Sequence, residues 1–575
     1  MRLTHRALGA IVFATAVLAP ALAQTTTRIS VAAGNLQADD ISIDASISAD
    51  GRFVAFQSAA TNLVMFDVNG TDDVFVRDRM TDTTLRVSVH SFGLEGNGPS
   101  GAAVISANGR YVAFDSLASN LVANDTNNRR DVFVHDRTLL LTQRVSVGPG
   151  GVESDGISSK PSISADGRFV AFQSRGTTLV AGDTNGVSDV FVWDRSTGLV
   201  TRVSVDSNGL QASDGSDSAS ISNAGDRIAF RSSAFDLVPG DLNGHSDVFL
   251  RDLTLATTVR ASLDSNGVEA DGDSDQPRLS ADGSVLVFRS DAANLVSGDG
   301  NLESDVFHRV LASGATTRVS VASGGFEANG PSVFPNVNAD GSRVTFHSLA
   351  SNLVAGDGNA LWDVFVHTLG TSATLRASLD SNGAEADGPS GVPSLSANGR
   401  FVVFASLATN LVAGDTNGSN DVFLRDLCDP PVMTYCTAGT TANGCNALMS
   451  ATGTPSASGA TPFLVQVSNV EGAKSGLLYY GLNGRLELPW GTNGSSFRCM
   501  NAPVQRTPQQ SSGGTAGQCD GSLTLDWNAY LASHPNALGQ PFAAGAIVDM
   551  QGWFRDPPSP TSTSLSDALE FCVGP

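Results

Sequence analysis

Two aspartates and an asparagine recur seven times along this chain in the order Asp-x-Asn-x-x-x-Asp. The sets are Asp67, Asn69 and Asp73; Asp125, Asn127 and Asp131; Asp183, Asn185 and Asp189; Asp241, Asn243 and Asp247; Asp299, Asn301 and Asp305; Asp357, Asn359 and Asp363; and Asp415, Asn417 and Asp421. Carboxylates and an amide carbonyl this close together are hard oxygen donors of the kind calcium takes, about six to eight per ion. Acidic residues elsewhere in the repeat, such as Glu153 with Asp155, Glu269 with Asp271 or Glu385 with Asp387, can complete a shell. The same side chains also cap turns by bonding to their own backbone. The EF-hand order, which needs a Glu at the twelfth position, is not met. Calcium ligation and turn capping both remain open, and calcium is the one cofactor expected.

Signals for catalysis are few. No Gly-x-Ser-x-Gly occurs, so a serine-hydrolase elbow is excluded. His90, His135, His245, His308, His347 and His367 do not recur from repeat to repeat, only His135 and His367 sharing a place, which excludes a histidine site in every repeat. A single site could still gather His308, His347 and His367; scattered surface histidines are the alternative. All six cysteines, Cys428, Cys436, Cys445, Cys499, Cys519 and Cys572, lie near the C-terminus. An even number in an exported chain points to disulfides. Zinc is the weaker reading, because no Cys-x-x-Cys pair occurs and His534 is the only histidine nearby.

The acidic sets sit in a repeat of 58 residues that runs without insertion or deletion. Asp-Val-Phe begins at Asp73, Asp131, Asp189, Asp247, Asp305, Asp363 and Asp421. Arg28, Arg86, Arg144, Arg202, Arg260, Arg318 and Arg376 keep the same step. Repeats of this size mean stacked supersecondary units. In the third, Ser162–Ser164, Phe169–Phe172, Asp189–Val192 and Thr201–Val205 read as four short strands, with an Asp166-Gly167 turn after the first. The second and third are apolar at consecutive positions, as strands buried on both faces are. The blades of a propeller meet that condition. One unmatched fourth strand, Thr27–Val31, precedes the first repeat, and none follows the seventh third strand, Asp421–Leu424. The two chain ends therefore pair to close a ring of seven blades.

The Ser-x-Asp/Asn-Gly-Arg-x-Val-x-Phe and Asp-Val-Phe-Val-x-Asp stretches, spread over Thr27 to Leu427, resemble the TolB-type propeller repeat of bacterial exported proteins. The resemblance implies the fold. It leaves function open, because that family includes periplasmic scaffolds, lyases and the propeller halves of peptidases.

Residues 1–23 read as a signal peptide: Arg2 and Arg6, an apolar run from Ala7 to Leu18, and a cleavage site at Ala21-Leu22-Ala23. The propeller then spans 24–427, and 428–575 form a Cys-rich, β-sandwich-like module. Its candidate strands are Phe463–Val467, Gly476–Gly481, Ala546–Phe554 and Ala568–Val573. Its Gln551-Gly552-Trp553-Phe554-Arg555-Asp556-Pro557 motif resembles a module found on varied exported bacterial proteins. The aromatics Trp490, Trp527, Trp553, Tyr479 and Tyr480 are either core or sugar-stacking.

The fold class expected is thus all-β, a seven-bladed β-propeller followed by a small disulfide-bonded β domain. A formal charge of −23 argues against nucleic acid and anionic lipid as partners. The expected protein is an exported, periplasmic or extracellular, non-enzymatic binding or scaffold monomer with a protein or glycan ligand and no membrane insertion. The alternative is a carbohydrate-active, lyase-like enzyme using the propeller channel.

Overall fold

The computed structural model describes residues 24–428 and, beyond them, 432–436, 438–441, 443–453, 455–456, 462–482, 485–490, 496–540, 542, 547–556 and 563–573. The signal-peptide reading of residues 1–23 lies outside the described residues. The chain divides into two compact units, one of which is Gln24–Asp429 and the other of which includes Pro430–Pro575. Among the described residues, no helix is long and apolar enough to cross a membrane.

The first unit consists of seven four-stranded antiparallel sheets. Blade 3 shows the pattern: Ser158–Ile163, Phe169–Ser174, Asp189–Asp194 and Leu199–Arg202, paired in sequence order. Its second and third strands run in full register from Phe169↔Asp194 to Ser174↔Asp189. Phe172 and Phe191 face each other across that pair with ring centroids 5.8 Å apart, and every blade repeats the contact. The third strands are buried along nearly their whole length, because each sheet packs between two others. One such core joins Ala171, Val190 and Val192 of blade 3 to Ile221, Ile228, Phe230 and Phe249 of blade 4.

The ring closes through the N-terminal segment. Thr25–Arg28 pairs with Asp421–Asp426, from Thr25↔Asp426 to Arg28↔Phe423, and supplies the fourth strand of blade 7. This strand lies about two residues earlier than Thr27–Val31, and the fourth strand of blade 3 likewise ends at Arg202 rather than Val205. The cause is a serine. Ser204 Oγ donates to Asp189 Oδ1 at 2.5 Å and accepts from Val190 N at 3.1 Å. A side chain replaces the ladder there, and the chain turns away.

The first strands of neighbouring blades touch each other all the way round, so these strands line the centre. They are longer than the sequence suggests and carry a bulge, with the register shifting between Ser159 and Ser162 in blade 3. The bulged residues are Asp44, Ala102, Lys160, Ser218, Gln276, Phe334 and Val392, all at φ between 49° and 56° and none a glycine. For Phe334 and the β-branched Val392 this conformation is strained.

In the second unit, a sheet containing Val432–Tyr435, Thr563–Cys572, Ile547–Arg555, Ser475–Gly481 and Val504–Arg506, in that order, accompanies a three-stranded sheet of Leu448–Thr452, Leu464–Val470 and Gly521–Asp526. Phe463, Val465, Tyr480, Trp527, Met550 and Phe571 form their shared core. The helix Trp527–Ser533 starts where the Asp526 side chain accepts from Ala529 N. Cys436–Cys499 and Cys445–Cys519 are disulfides with Cα–Cα separations of 6.1 and 5.4 Å, and among the described residues no cysteine is free.

Candidate functional site

The loops between second and third strands and the loops between blades emerge on one face of the ring. There the Asp-x-Asn-x-x-x-Asp sets are assembled, and each set receives an arginine from the fourth strand. The pairing register explains it: Arg86 lies opposite Phe75, two residues beyond Asp73. Arg86 Nη1 is 3.0 Å from Asp73 Oδ2 and 3.3 Å from Asp67 Oδ1, and it also donates to Glu95 of the following loop. The arrangement repeats at Arg144, Arg260, Arg318 and Arg376, with Glu153, Glu269, Glu327 and Glu385 as third acid. In blade 3, Arg202 pairs with Asp183 and donates to Gln211; in blade 7, Arg28 pairs with Asp415 and Asp421, and Gln37 donates to Asp415. All seven guanidinium groups are buried.

The asparagines take a different part. In six blades Asn Nδ2 donates to the second Asp, as Asn69 does to Asp73 at 2.9 Å. In all seven the Asn Oδ1 accepts from the backbone N–H two residues on, as from Thr71 at 3.0 Å. The structure therefore brings together all the expected calcium ligands, yet it places a guanidinium among the carboxylates and turns the amide carbonyl back onto its own loop. Asp155, Asp271 and Asp387 do not join their clusters. They cap the next blade's loop, as Asp155 does by accepting from Thr177 N at 2.6 Å.

Three acids to one cation leave negative charge in excess. Oxygens of Asp67, Asp73 and Glu95 lie within 4.8 Å of one another, as do those of Asp299, Asp305, Glu327 and of Asp357, Asp363, Glu385. Burial, with repulsion from the neighbouring acids, raises Asp67, Asp125, Asp299 and Asp357 from 3.8 to about 6. The second Asp of each set is also raised, chiefly by burial, against the pull of its serine, asparagine and arginine partners. Glu95, Glu153, Glu327 and Glu385 are held below 4.5. Burial opposes this, but backbone N–H donors or the Thr126 hydroxyl, together with the arginine, prevail.

In blade 2, Arg129 and Arg130 fall within the acidic loop. Neither replaces the cluster's own cation. Arg130 pairs with Asp115 on the second strand, while Arg144 holds Asp125 and Glu153 as elsewhere.

The histidines are separately committed. His308 Nε2 meets Gly341 O at 3.2 Å, His367 Nδ1 meets Thr374 Oγ1 at 2.9 Å, and His347 Nδ1 accepts from Val392 N at 2.9 Å. His347 also packs against Phe334 and Trp362. Burial lowers all three, His347 to about 4. Among the described residues, no three-ligand cluster contains a histidine.

In the C-terminal unit, Gln551 is the hub of its motif. Buried, it donates to Phe497 O at 2.8 Å and Ser566 O at 2.7 Å, and accepts from the Tyr479 hydroxyl and Cys499 N. Gly552 follows at a strand irregularity where a Cβ would meet Val467 at 2.7 Å. Trp527 and Tyr480 are core residues with rings 4.7 Å apart, and Trp553 is partly buried. The side chain of Trp490 lies outside the described residues.

One feature absent from the sequence reading distinguishes blade 1. The residue before the first Asp of each set, where φ is positive, is glycine in five blades and Asn124 in blade 2. In blade 1 it is Phe66, at φ 62° and 84% exposed. Met65, Val68, Leu85, Phe92 and Leu94 beside it are exposed as well. The bonds from Arg86 to Phe66 O and from Val68 N to Glu95 tie these segments together.

No family model matches the chain, and no curated protein matches it. Among solved structures, it is similar to a protein described as a TolB of Agrobacterium tumefaciens, at 13% identity over 60% of this chain and 94% of that one, TM-score 0.33. It is also similar to a puromycin-hydrolysing peptidase of Mycobacterium tuberculosis, at 14% identity, TM-score 0.39, over 78% of this chain and 62% of that one, less than two thirds of the peptidase's length. A third similar structure is the WD40 repeats of RRP9, at 11% identity over 71% and 98%, TM-score 0.36. Strand pairing and ring closure, rather than these likenesses, establish the propeller.

Proposed function

We propose that this is an exported, non-enzymatic binding protein, with the propeller as a rigid platform and the loop tips of blade 1 as its recognition surface. The observation that carries the reading is the contrast between what repeats and what varies. The Arg–Asp–Asn–Ser network recurs beneath every blade and sets a resident guanidinium among the loop carboxylates. Above it, only blade 1 sets a bulky aromatic in a left-handed turn. Strain of this kind costs about 1–2 kcal/mol and points to a use outside folding. Exposed aromatic and methionine side chains on a fixed frame are the usual anchors of protein interfaces. The partner is then a protein presenting a complementary apolar patch. Disulfide bonding of every cysteine fits an oxidising compartment outside the cytosol.

The seven clusters are, in this reading, structural clamps in which arginine is the resident cation. Calcium would have to displace a buried guanidinium and reverse the asparagine amide to enter.

The test uses the full chain immobilised against an envelope extract, with bound proteins identified by mass spectrometry. Phe66→Gly combined with Met65→Ser should lose the capture while melting no lower than wild type. Unchanged capture by this variant would remove blade 1 as the recognition surface.

A further inference from the structure

Arg278 occupies the fifth position of the inner strand of blade 5. At the same register five of the other blades place small polar groups, Ser46, Ser162, Ser220, Asn336 and Ser394, and blade 2 places Val104. Several of these stitch neighbouring inner strands together. Ser46 Oγ accepts from Ile105 N at 3.2 Å, Ser162 Oγ from Ile221 N at 3.2 Å, Ser220 Oγ from Leu279 N at 3.0 Å, and Asn336 Oδ1 from Leu395 N at 3.2 Å. The register thus forms a belt around the inner wall. Neither arginine nor valine has a side-chain acceptor, so no such bond reaches Val337 at the step from blade 5 to blade 6, or Ile163 at the step from blade 2 to blade 3; only at the former does a side-chain donor stand in the gap.

The guanidinium of Arg278 stands apart from every other charge pattern in the ring. Among the described residues its one hydrogen bond runs from Nη1 to the carbonyl of its neighbour Pro277, at 3.0 Å, within the bulge. No carboxylate among the described residues pairs with it. Two cations of the adjoining second strands are matched by inner-strand acids, Arg231 with Asp217 at 3.1 Å and Arg289 with Asp275 at 3.1 Å, and the bulged Lys160 of blade 3 is exposed. Arg278 is half-buried on the inner wall of the ring. Removal from bulk water, unopposed by any acid, lowers its affinity for the proton. Beside it, Ser220 Oγ accepts from Leu279 N, which leaves its hydroxyl proton able to donate.

We propose that Arg278, Ser220 and the Val337 N–H form an anion site in the propeller channel, and that its ligand is a carboxylate. The donor set decides the class. A guanidinium offers two parallel N–H groups that match the two oxygens of a carboxylate. A hydroxyl and an amide from the two flanking blades add neutral donors, and no acid opposes them. The site is separate from the apolar tips of blade 1 and does not depend on what those tips bind.

The experiment is calorimetric titration of the full chain with inorganic phosphate and four organic probes. Glucuronate and an acetylated dipeptide with a free C-terminus carry the carboxylate on a sugar and on a peptide; glucose and the amide of the same dipeptide are their neutral counterparts. Saturable binding of at least one carboxylate probe, with its neutral counterpart at least tenfold weaker, is expected. Whichever probe binds identifies the source. Arg278→Gln should weaken that binding at least tenfold, Ser220→Ala less, and Arg278→Lys should retain part of it. The melting temperature of Arg278→Gln should equal or exceed that of wild type, since an unmatched cation is removed. Failure of both carboxylates to bind would overturn the proposal, as would tighter binding of inorganic phosphate than of either carboxylate. Equal binding by Arg278→Gln, or a large fall in its melting temperature, would do so too, the latter by making the arginine a structural element.

Discussion

In the ring, one set of contacts is used seven times: a Phe–Phe pair between the second and third strands, a serine capping the third strand, and an arginine among the loop acids. Among the described residues of the C-terminal unit, no contact recurs in this way. Its core gathers single aromatics around Trp527, its polar centre is the one glutamine Gln551, and Cys436–Cys499 and Cys445–Cys519 fasten its loops. Repetition lets each blade lean on its neighbours, so the ring holds without covalent links, but it has to be closed. A small unrepeated domain has less core to share and relies on staples. The difference locates the weak point of each unit: the seam in one, the disulfides in the other.

The seam is where the largest effect is expected. Deleting Gln24 to Val31 removes the strand paired with Asp421–Asp426 and leaves blade 7 with an open edge. The truncated protein should aggregate or lose most of its cooperative melt. Calorimetry showing an unaltered ring transition would break the closure account.

Next comes reduction. Bridges closing 63 and 74 residues each contribute about 4 kcal/mol in the chain-entropy picture. Reductant should abolish the transition of the C-terminal unit and spare that of the ring. Both transitions moving together would erase the distinction between the two.

A single clamp ranks third. Arg318→Ala leaves Asp299, Asp305 and Glu327 without their shared cation. Removing one partner of a buried pair costs about 3–5 kcal/mol, readable by denaturant melts. Arg86→Ala and Arg376→Ala should give similar losses, because the clamps repeat. A loss confined to one blade would contradict the repetition.

The smallest effect is that of pH. Asp67, Asp125, Asp299 and Asp357 titrate near 6 in the fold against 3.8 without it, so the fold favours their protonated form. Their contribution is complete below 3.8 and is lost as pH rises through about 6. Glu95, Glu153, Glu327 and Glu385 are depressed below 4.5, so theirs is present above 4.5 and lost as pH falls through their lowered values. The ring should melt higher near pH 5 than at pH 7.5, and lower again in stronger acid. A melting temperature that falls steadily from pH 7.5 to pH 5 would show that the excess charge is not borne by these aspartates.

Much of the ring was legible in the sequence because its rules are local. Runs such as Phe169–Phe172, the Asp166-Gly167 turn and the unmatched N-terminal strand set blade number and closure without reference to distant contacts. The clamp was half legible. Arg86 and its counterparts were visible as a marker in step with the acids, but only the antiparallel register places each one across from Asp73 and its counterparts. The inner-strand bulge was not legible, since residues such as Val392 and Phe334 argue against positive φ and tertiary packing overrides them. Phe66 was missed for the same reason: its turn is readable from the glycines of other blades, its strain only from the backbone.

The central claim is that arginine, not calcium, is the cation of the seven loop clusters. Calorimetric titration of chelator-treated full chain with calcium to millimolar concentration, with melts in chelator and in calcium alongside, tests it most directly. The account predicts no saturable heat and superimposable melts. Saturable uptake of several ions per chain, lost in Asp183→Ala and accompanied by a higher melting temperature, would contradict it and return the Asp-x-Asn loops to calcium.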